Sequence, residues 1–542
     1  MSQLQAASSA GKTSKNDSLT SSQQRLTLIA MCLSLGLSAL DDTVVSVALP
    51  SLQADLSISV ESLQWILNAY LLPIACLVLP IGSLGDVYGR KRVFLAGLFL
   101  FVLSSILIGL ATTVQFVIAG RLLQGIGAAA LLPSSLAILS DAYPNSSERA
   151  KAIGIWSGVS GLALIVGPTL GGFLIDAFGW RSIFFLNVPF GVFTFWLTCH
   201  AVSIAYSQKH RRLLQLDWLG MGLSITAIAS FIAWLMSADS AVGRSPILGS
   251  VSVLGAIAFL FVESRMSCPM LPLRVFRHSA FSTVFVTNAM LLFVLVSMMF
   301  LFSLFLQQVQ GYSASAAGIR FLPLNAAFIF GSIVSGYFLA RFSERFVIAA
   351  GFAIASVAVF SLGQVEYTTA YGDMLPSLVL VGFGVGFTLS PLTAAGMESL
   401  TATQSGLAAA LLNTSTRLGG ALGIAVQGDI FSANSKRSLQ RLLAEETRFG
   451  VEANAAIVAE STSHGAARPE VLHQIVVNSQ QVNNQQINEN LDSSLDALET
   501  VTTAIHSSFV SGLHSTLWLA GSLLLFAAVL SVVCIRPYRK EH

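Results

Sequence analysis

The chain has 542 residues, of which 54% are hydrophobic and only 10% charged, with a mean hydropathy of +0.73. Soluble domains carry about 25% charged residues, so this chain lacks the polar surface that water demands, and lipid must be its solvent. A net charge of +2 excludes a polyelectrolyte partner such as nucleic acid.

Residues 1–25 are polar, rich in Ser and Gln, and end at Arg25. The apolar run that follows, about 23 residues, is too long for the core of a cleaved signal peptide. It predicts a first transmembrane helix that also serves as an uncleaved insertion signal. A spanning helix needs about 20 mostly apolar residues. Such stretches fall at 26–49, 62–82, 93–111, 115–139, 151–175, 183–205, 217–237, 246–263, 281–306, 317–340, 346–363, 375–396, 406–430 and 516–536. The sequence therefore predicts an all-α membrane protein with 14 transmembrane helices. The 43 glycines suit close helix packing in lipid.

Arg25, Arg90, Lys91, Arg92, Arg149, Lys151, Lys209, Arg211, Arg212, Arg274, Arg277, Arg341, Arg345, Arg536, Arg539 and Lys540 fall on one side of these spans. The short loops of the other side hold Arg181, Arg244 and Arg320. Positively charged loops stay in the cytoplasm, which puts both termini there and requires an even number of spans. A multi-pass protein of a cell membrane, the inner membrane of a bacterium, is expected. One long polar segment, 431–515, lies between spans 13 and 14 and is therefore predicted to be external. Its periodic apolar residues (Leu439, Leu442, Leu443; Ile487, Leu491, Leu495, Leu498) predict two or more amphipathic helices.

Little points to catalysis or to a metal. The five cysteines (Cys32, Cys76, Cys199, Cys268 and Cys534) form no CxxC pair and read as small core residues; the eight histidines are scattered, and no P-loop GxxxxGK[ST] is present. No catalytic residue, metal or cofactor is assigned.

Charges inside spans are costly and usually functional. Asp41 lies about eight residues before the outer end of span 1, and Arg121 about six residues inside the outer end of span 4. At about 1.5 Å per residue both sit in the outer half of the membrane at similar depth. They are predicted to face one cavity, where the arginine pairs with the aspartate or competes with a proton for it. A purely structural ion pair is the alternative. Asp42 points about 100° away from Asp41 and faces a different neighbour; either aspartate can titrate. Arg417, about 12 residues into span 13, needs a partner, for which Glu398 or a backbone carbonyl is a candidate. Trp65, Asn68 and Tyr70 in span 2, with Asn288, Asn325, Asn413 and Arg417 later, are candidates for a substrate cavity. Interface aromatics and interhelical hydrogen bonds are the plainer reading of the same residues.

Several motifs stand out. Leu40-Asp41-Asp42-Thr43-Val44-Val45-Ser46-Val47-Ala48-Leu49-Pro50 ends span 1. Gly82-Ser-Leu-Gly-Asp86-Val-Tyr-Gly89-Arg90-Lys91-Arg92 joins spans 2 and 3; its glycines permit a tight turn, and Asp86 and Arg90 can pair across the loop or meet helix ends. Arg121-Leu-Leu-Gln124-Gly125-Ile-Gly127 opens span 4. Gly161 is followed by Gly167-Pro168-Thr-Leu-Gly171-Gly172 in span 5, where Pro168 removes a helix hydrogen bond and the glycines allow a kink or close packing. Later come Gln308-Val-Gln-Gly311-Tyr312-Ser313 and Asn413-Thr-Ser-Thr-Arg417-Leu-Gly419-Gly420.

Together these motifs resemble those of the 14-span drug:proton antiporters of the major facilitator superfamily, from about residue 30 to 430 and over the last span. That resemblance implies the major facilitator fold, 6+2+6 helices with pseudo-twofold related halves. The bounds are a cytoplasmic N-terminus at 1–25, a six-helix bundle at 26–205, two extra linker helices at 206–265, and a second bundle at 266–542 that includes the external segment. Gly336-Tyr-Phe-Leu-Ala340-Arg-Phe-Ser343-Glu344-Arg345 aligns with the loop at Gly82, with Ala340 at the Asp position and Ser343 at the second Gly, as expected for related but unequal repeats.

The resemblance further implies a proton-coupled exporter of amphipathic small molecules such as drugs, dyes or toxic compounds. Proton coupling falls to Arg121 and the motif aspartate, so Asp41 is favoured over Asp42. Gly82, Asp86, Gly89, Arg90 and Lys91 form the conformational switch loop, and Gly161, Gly167, Pro168, Gly171 and Gly172 the hinge of the antiport motif. The partners are the bilayer, the substrate and protons, with the proton gradient as energy source. A monomer is expected; a periplasmic adaptor is not readable. Spans 9 and 10 carry Asn288 and Asn325 rather than the acidic residues of some multidrug exporters, which argues against dicationic substrates and leaves neutral or anionic ones open. A dedicated exporter of one endogenous metabolite, toxin or siderophore is the runner-up, and a polytopic membrane enzyme or sensor the remote alternative.

Overall fold

A computed structural model describes residues 21–202, 217–236, 245–266, 271, 273–400, 405–445 and 491–535. Every regular element among these is helical. In chain order they are α1 (Ser21–Leu56), α2 (Val60–Tyr88), α3 (Arg90–Gly109), α4 (Val114–Ala142), α5 (Ser146–Phe178), α6 (Arg181–Ala201), α7 (Trp218–Met236), α8 (Pro246–Arg265), α9 (Ser279–Leu304), α10 (Ala314–Arg320), α11 (Leu322–Leu339), α12 (Glu344–Leu362), α13 (Tyr371–Glu398), α14 (Ser405–Glu445) and α15 (Leu491–Cys534).

Each of the fourteen predicted spans falls on one of these helices, with span 10 divided between α10 and α11. The division has a local cause: Pro323 sits in the first turn of α11, where its missing N–H costs nothing. Twelve stretches among the described residues are long and apolar enough to cross a membrane. The apolar part of α7 is shorter, Trp218–Trp234, and α14 is not among the twelve. Large apolar side chains such as Phe99, Phe173, Leu254, Phe330 and Phe526 face outward, as a lipid solvent requires.

The helices form two sets. α1 packs on α5 and α6, α3 on α4 and α6, and α2 on α4. In the second set α9 packs on α14, α12 on α13 and α15, and α11 on α13. The seam between the sets is made by α2 with α14, α5 with α10 and α11, and α1 with α9. α7 and α8 pack on each other, with Ser252 donating to the Ala227 carbonyl at 3.0 Å, and α7 touches both α2 and α14 beside the seam.

Two helices outrun the predicted spans. α14 continues to Glu445 and α15 begins at Leu491, so both ends of the polar segment 431–515 prolong the helices of predicted spans 13 and 14 instead of starting new ones. Apolar content ends a predicted span, but backbone hydrogen bonding continues while side chains still find partners. Here they do: Phe431 meets Phe509 edge-on at 4.7 Å, and Leu439, Leu443, Val501 and Ile505 are buried. Residues 446–490 lie outside the described residues, with Ile487 and the predicted amphipathic helices there. So do Lys209, Arg211, Arg212, Arg244, Arg536, Arg539, Lys540 and the side chains of Asp86, Leu491, Leu495 and Leu498.

Candidate functional site

The four charges singled out inside the spans resolve into two ion pairs. Arg121 donates to Asp41 Oδ2 and, at 2.8 Å, to Gln124 Oε1 on the next turn of α4. Asp41 Oδ1 accepts from Gln124 Nε2 at 2.8 Å and Asn187 Nδ2 at 3.0 Å. Both amides also reach Ser105 Oγ on α3. The Arg121 Nε–H donates to the Ile66 carbonyl, and its guanidinium lies 4.1 Å from the centroid of the Tyr70 ring, whose hydroxyl bonds Ser38 Oγ at 2.9 Å. Helices α1, α2, α3, α4 and α6 all contribute, and the side chains of Arg121 and Asp41 are only 1% and 2% exposed. A buried charge pair is tolerable when its remaining valences are filled in this way.

The sequence placed Asp41 and Arg121 together; it missed Gln124, Asn187 and Ser105. Gln124 had a signal, standing three residues after Arg121 on the same helix face. Asn187 and Ser105 are single polar residues in apolar spans and carry no pattern. The pair is sealed inside the first helix set and does not line an open cavity.

The second pair crosses the seam. Arg417 on α14 donates to Asp42 Oδ2 at 2.6 Å, with side chains 16% and 21% exposed. The partner of Arg417 is thus Asp42, not Glu398, which is exposed at the end of α13. The helical turn between Asp41 and Asp42 sends one carboxylate into its own set and the other toward α14. Asp42 Oδ1 and Arg417 Nε have no hydrogen-bond partner among the described atoms.

The remaining cavity candidates scatter. Asn288 is buried and donates to Thr416 Oγ1 at 3.0 Å, tying α9 to α14. Asn325 donates to the Leu164 carbonyl at 2.8 Å, across the seam to α5. Asn413 is exposed and bonds its own helix at Ala409. Asn68 is fully buried, and Trp65 packs partly buried against the core.

The loop at Gly82 braces the first set. Gly89, at φ 96°, joins α2 to α3 in a conformation that side-chain-bearing residues rarely adopt. Arg90 donates to both oxygens of Asp141 at 2.7 and 2.8 Å and to the Ala137 carbonyl near the end of α4. Lys91 donates to the carbonyls of Cys199 and Val202 at the end of α6, where a cation also suits the helix dipole. Gly82 rests on Pro133.

The span-5 motif works on both neighbours of α5, which runs unbroken through Pro168. A side chain on Gly167 would meet Thr43 and one on Gly171 would meet Val44, both on α1; one on Gly172 would meet Ala314 and Ser315 on α10. From the other side, Gly318 abuts the Pro168 carbonyl. Gly161 faces Ile329 across the seam with room to spare. Nearby, Asp176 Oδ1 and Oδ2 accept from the Ala314 and Ser315 N–H groups at 3.2 and 3.0 Å. A π-turn, Phe305–Val309, ends α9 and aims Gln307 at the Val47 carbonyl and Gln308 at Gln53. Along α5 the seam contacts of Gly172 and Asp176 lie near the end opposite the basic residues Arg149 and Lys151 at its start.

Two helix sets packed on each other around interior charges are the architecture of a secondary transporter. Residues 31–424 match the model of the Major Facilitator Superfamily, and the chain belongs to that family. It is 34% identical over 420 residues to the multidrug resistance protein Stp of Mycobacterium tuberculosis, covering 76% of each chain. It is 30% identical over 513 residues to the tetracenomycin C resistance and export protein of Streptomyces glaucescens, covering 93% of this chain and 90% of that one. Among solved structures it is similar to a bacterial homologue of the human lysosomal transporter Spinster in an inward-facing, unoccupied conformation. There the TM-score is 0.62 at 18% identity, over 94% and 98% of the two chains, a likeness of fold alone.

Proposed function

We propose that this chain is a proton-driven exporter of amphipathic small molecules such as drugs, dyes or toxic compounds. The observation that carries the reading is the pair of interior ion pairs, Asp41–Arg121 and Asp42–Arg417, within a fold shared with named resistance proteins. Carboxylates held by arginines can exchange the arginine for a proton, the elementary step that couples a proton gradient to a carrier. All fourteen predicted spans cross the membrane in this reading, as 6+2+6, with α7 and α8 as the extra pair. The bacterial inner membrane, both termini in the cytoplasm, a monomeric carrier and the proton gradient as sole energy source complete it. The basic loops then mark the cytoplasmic end, and the seam contacts close the external one.

Everted membrane vesicles are the test. Uptake of a fluorescent dye or labelled drug from a panel should follow an imposed proton gradient and collapse with a protonophore. Uptake that persists without the gradient and requires ATP would overturn the reading. A second reading, a dedicated exporter of one compound, is supported by relatives named for single antibiotics, tetracenomycin C among them. A panel in which one compound moves and the rest do not would select it.

A further inference from the structure

The two adjacent aspartates of α1 cannot do the same job. Asp41 uses both oxygens on three donors, and all of its partners sit in the first helix set. Rocking one set against the other leaves such a network intact, so conformation alone gives Asp41 no reason to gain or lose a proton. Asp42 is tied to the other set by one charged contact, is a fifth exposed, and keeps its second oxygen without a partner. Any movement of α1 against α14 changes its surroundings at once. Coupling requires a group whose proton affinity differs between the two conformations, and a pair that spans the seam meets that condition by construction.

We infer that Asp42 and Arg417 form a charge lock between the halves, opened when a proton takes the place of Arg417 on Asp42. The inference rests on the proton-driven reading above and assigns its coupling residue. With the pair intact, the empty carrier is held closed at the external end, which is the condition antiport needs. When Asp42 is protonated, the carboxylate no longer holds the guanidinium, and the halves are free to rock. On the export limb bound substrate must release the same lock by separating Asp42 from Arg417. The charged and titratable groups that face Asp42 are Arg417 on α14, Asp41 on α1, Arg121 on α4 and Tyr70 on α2. Arg121 is committed to Asp41 and Tyr70 to Ser38, which leaves Arg417 as the competitor for the proton.

The experiment is a distance measurement in the full-length chain, with its natural cysteines replaced by serine. Spin labels go on Lys151→Cys at the start of α5 and Phe346→Cys at the start of α12, both exposed at the basic end on opposite sides of the seam. Distances are read across a pH series without substrate. The expected result is one separation at high pH and a second, shorter population that grows as pH falls. Asp42→Asn should show both populations at every pH, and Asp42→Glu should restore the pH response. Asp41→Asn should keep it, because that network does not cross the seam. A pH response in Asp42→Asn equal to that of the parent overturns the lock while leaving proton-driven export standing. A parent chain that ignores pH altogether overturns both.

Discussion

The Asp41–Arg121 and Asp42–Arg417 pairs are one residue apart on α1, yet they belong to different parts of the machine. The first sits inside a single helix set, with its charges enclosed by amides, a hydroxyl and an aromatic face. The second bridges two sets through one contact and keeps atoms free. The difference teaches that a motif charge and a working charge need not be the same. Burial and full satisfaction suit a brace; partial exposure and a partner on a moving body suit a switch.

The largest expected effect tests the brace. Arg121→Ala leaves Asp41 uncompensated in a dry interior, which costs about 3–5 kcal/mol. Thermal unfolding in detergent should drop sharply, or the chain should fail to accumulate. A variant as stable as the parent would break the comparison on this side. The seam comes next. Gly172→Val drives a side chain into the backbone of α10, so the external end should be pried apart. A membrane-impermeant thiol reagent should then label Ser315→Cys several-fold faster than in the Gly172 parent; equal labelling would mean that the seam yields elsewhere.

A smaller change sharpens the brace. Asn187→Ala removes one of two donors to Asp41 Oδ1 while Gln124 stays, so about 1 kcal/mol is expected from the same unfolding measurement. Asp42→Asn, which keeps the shape of the pair and an oxygen to accept from Arg417, should cost less than Arg121→Ala in that measurement, because this pair is the less buried of the two. Its effect belongs to transport, where dye uptake driven by a proton gradient should fall while dye equilibration continues. A loss of stability as large as that of Arg121→Ala would make the two pairs equivalent. Last is Arg90→Ala at the basic loop, whose partner Asp141 is half exposed; about 0–1 kcal/mol is expected, with a slower transport rate as the more sensitive readout.

Much of this molecule is legible in its sequence. The spans follow from apolar runs of membrane length, and the basic loops mark one end by composition alone. Asp41 and Arg121 meet because both can be counted from the outer ends of two antiparallel helices of known rise, one near the end of α1 and the other near the start of α4, so their depths match. Gly89 is required by a turn that the loop motif announces. These features are local, or depend on a single axis, the membrane normal, that the sequence itself defines.

Other features needed the fold. Glu398 is closer in sequence to Arg417 than Asp42 is, yet Asp42 is its partner, because α1 and α14 come to face each other only after the two helix sets have packed. Asn187 and Ser105 join Asp41 from helices whose rotation about their own axes no hydropathy pattern specifies. The extension of α14 past residue 430 depends on α15 arriving beside it with Phe509 and Ile505. Hydropathy and charge are properties of each segment and reveal what crosses the membrane. Which carboxylate stays within one helix set and which one reaches across to the other is a property of contacts between segments, and only the tertiary structure decided it.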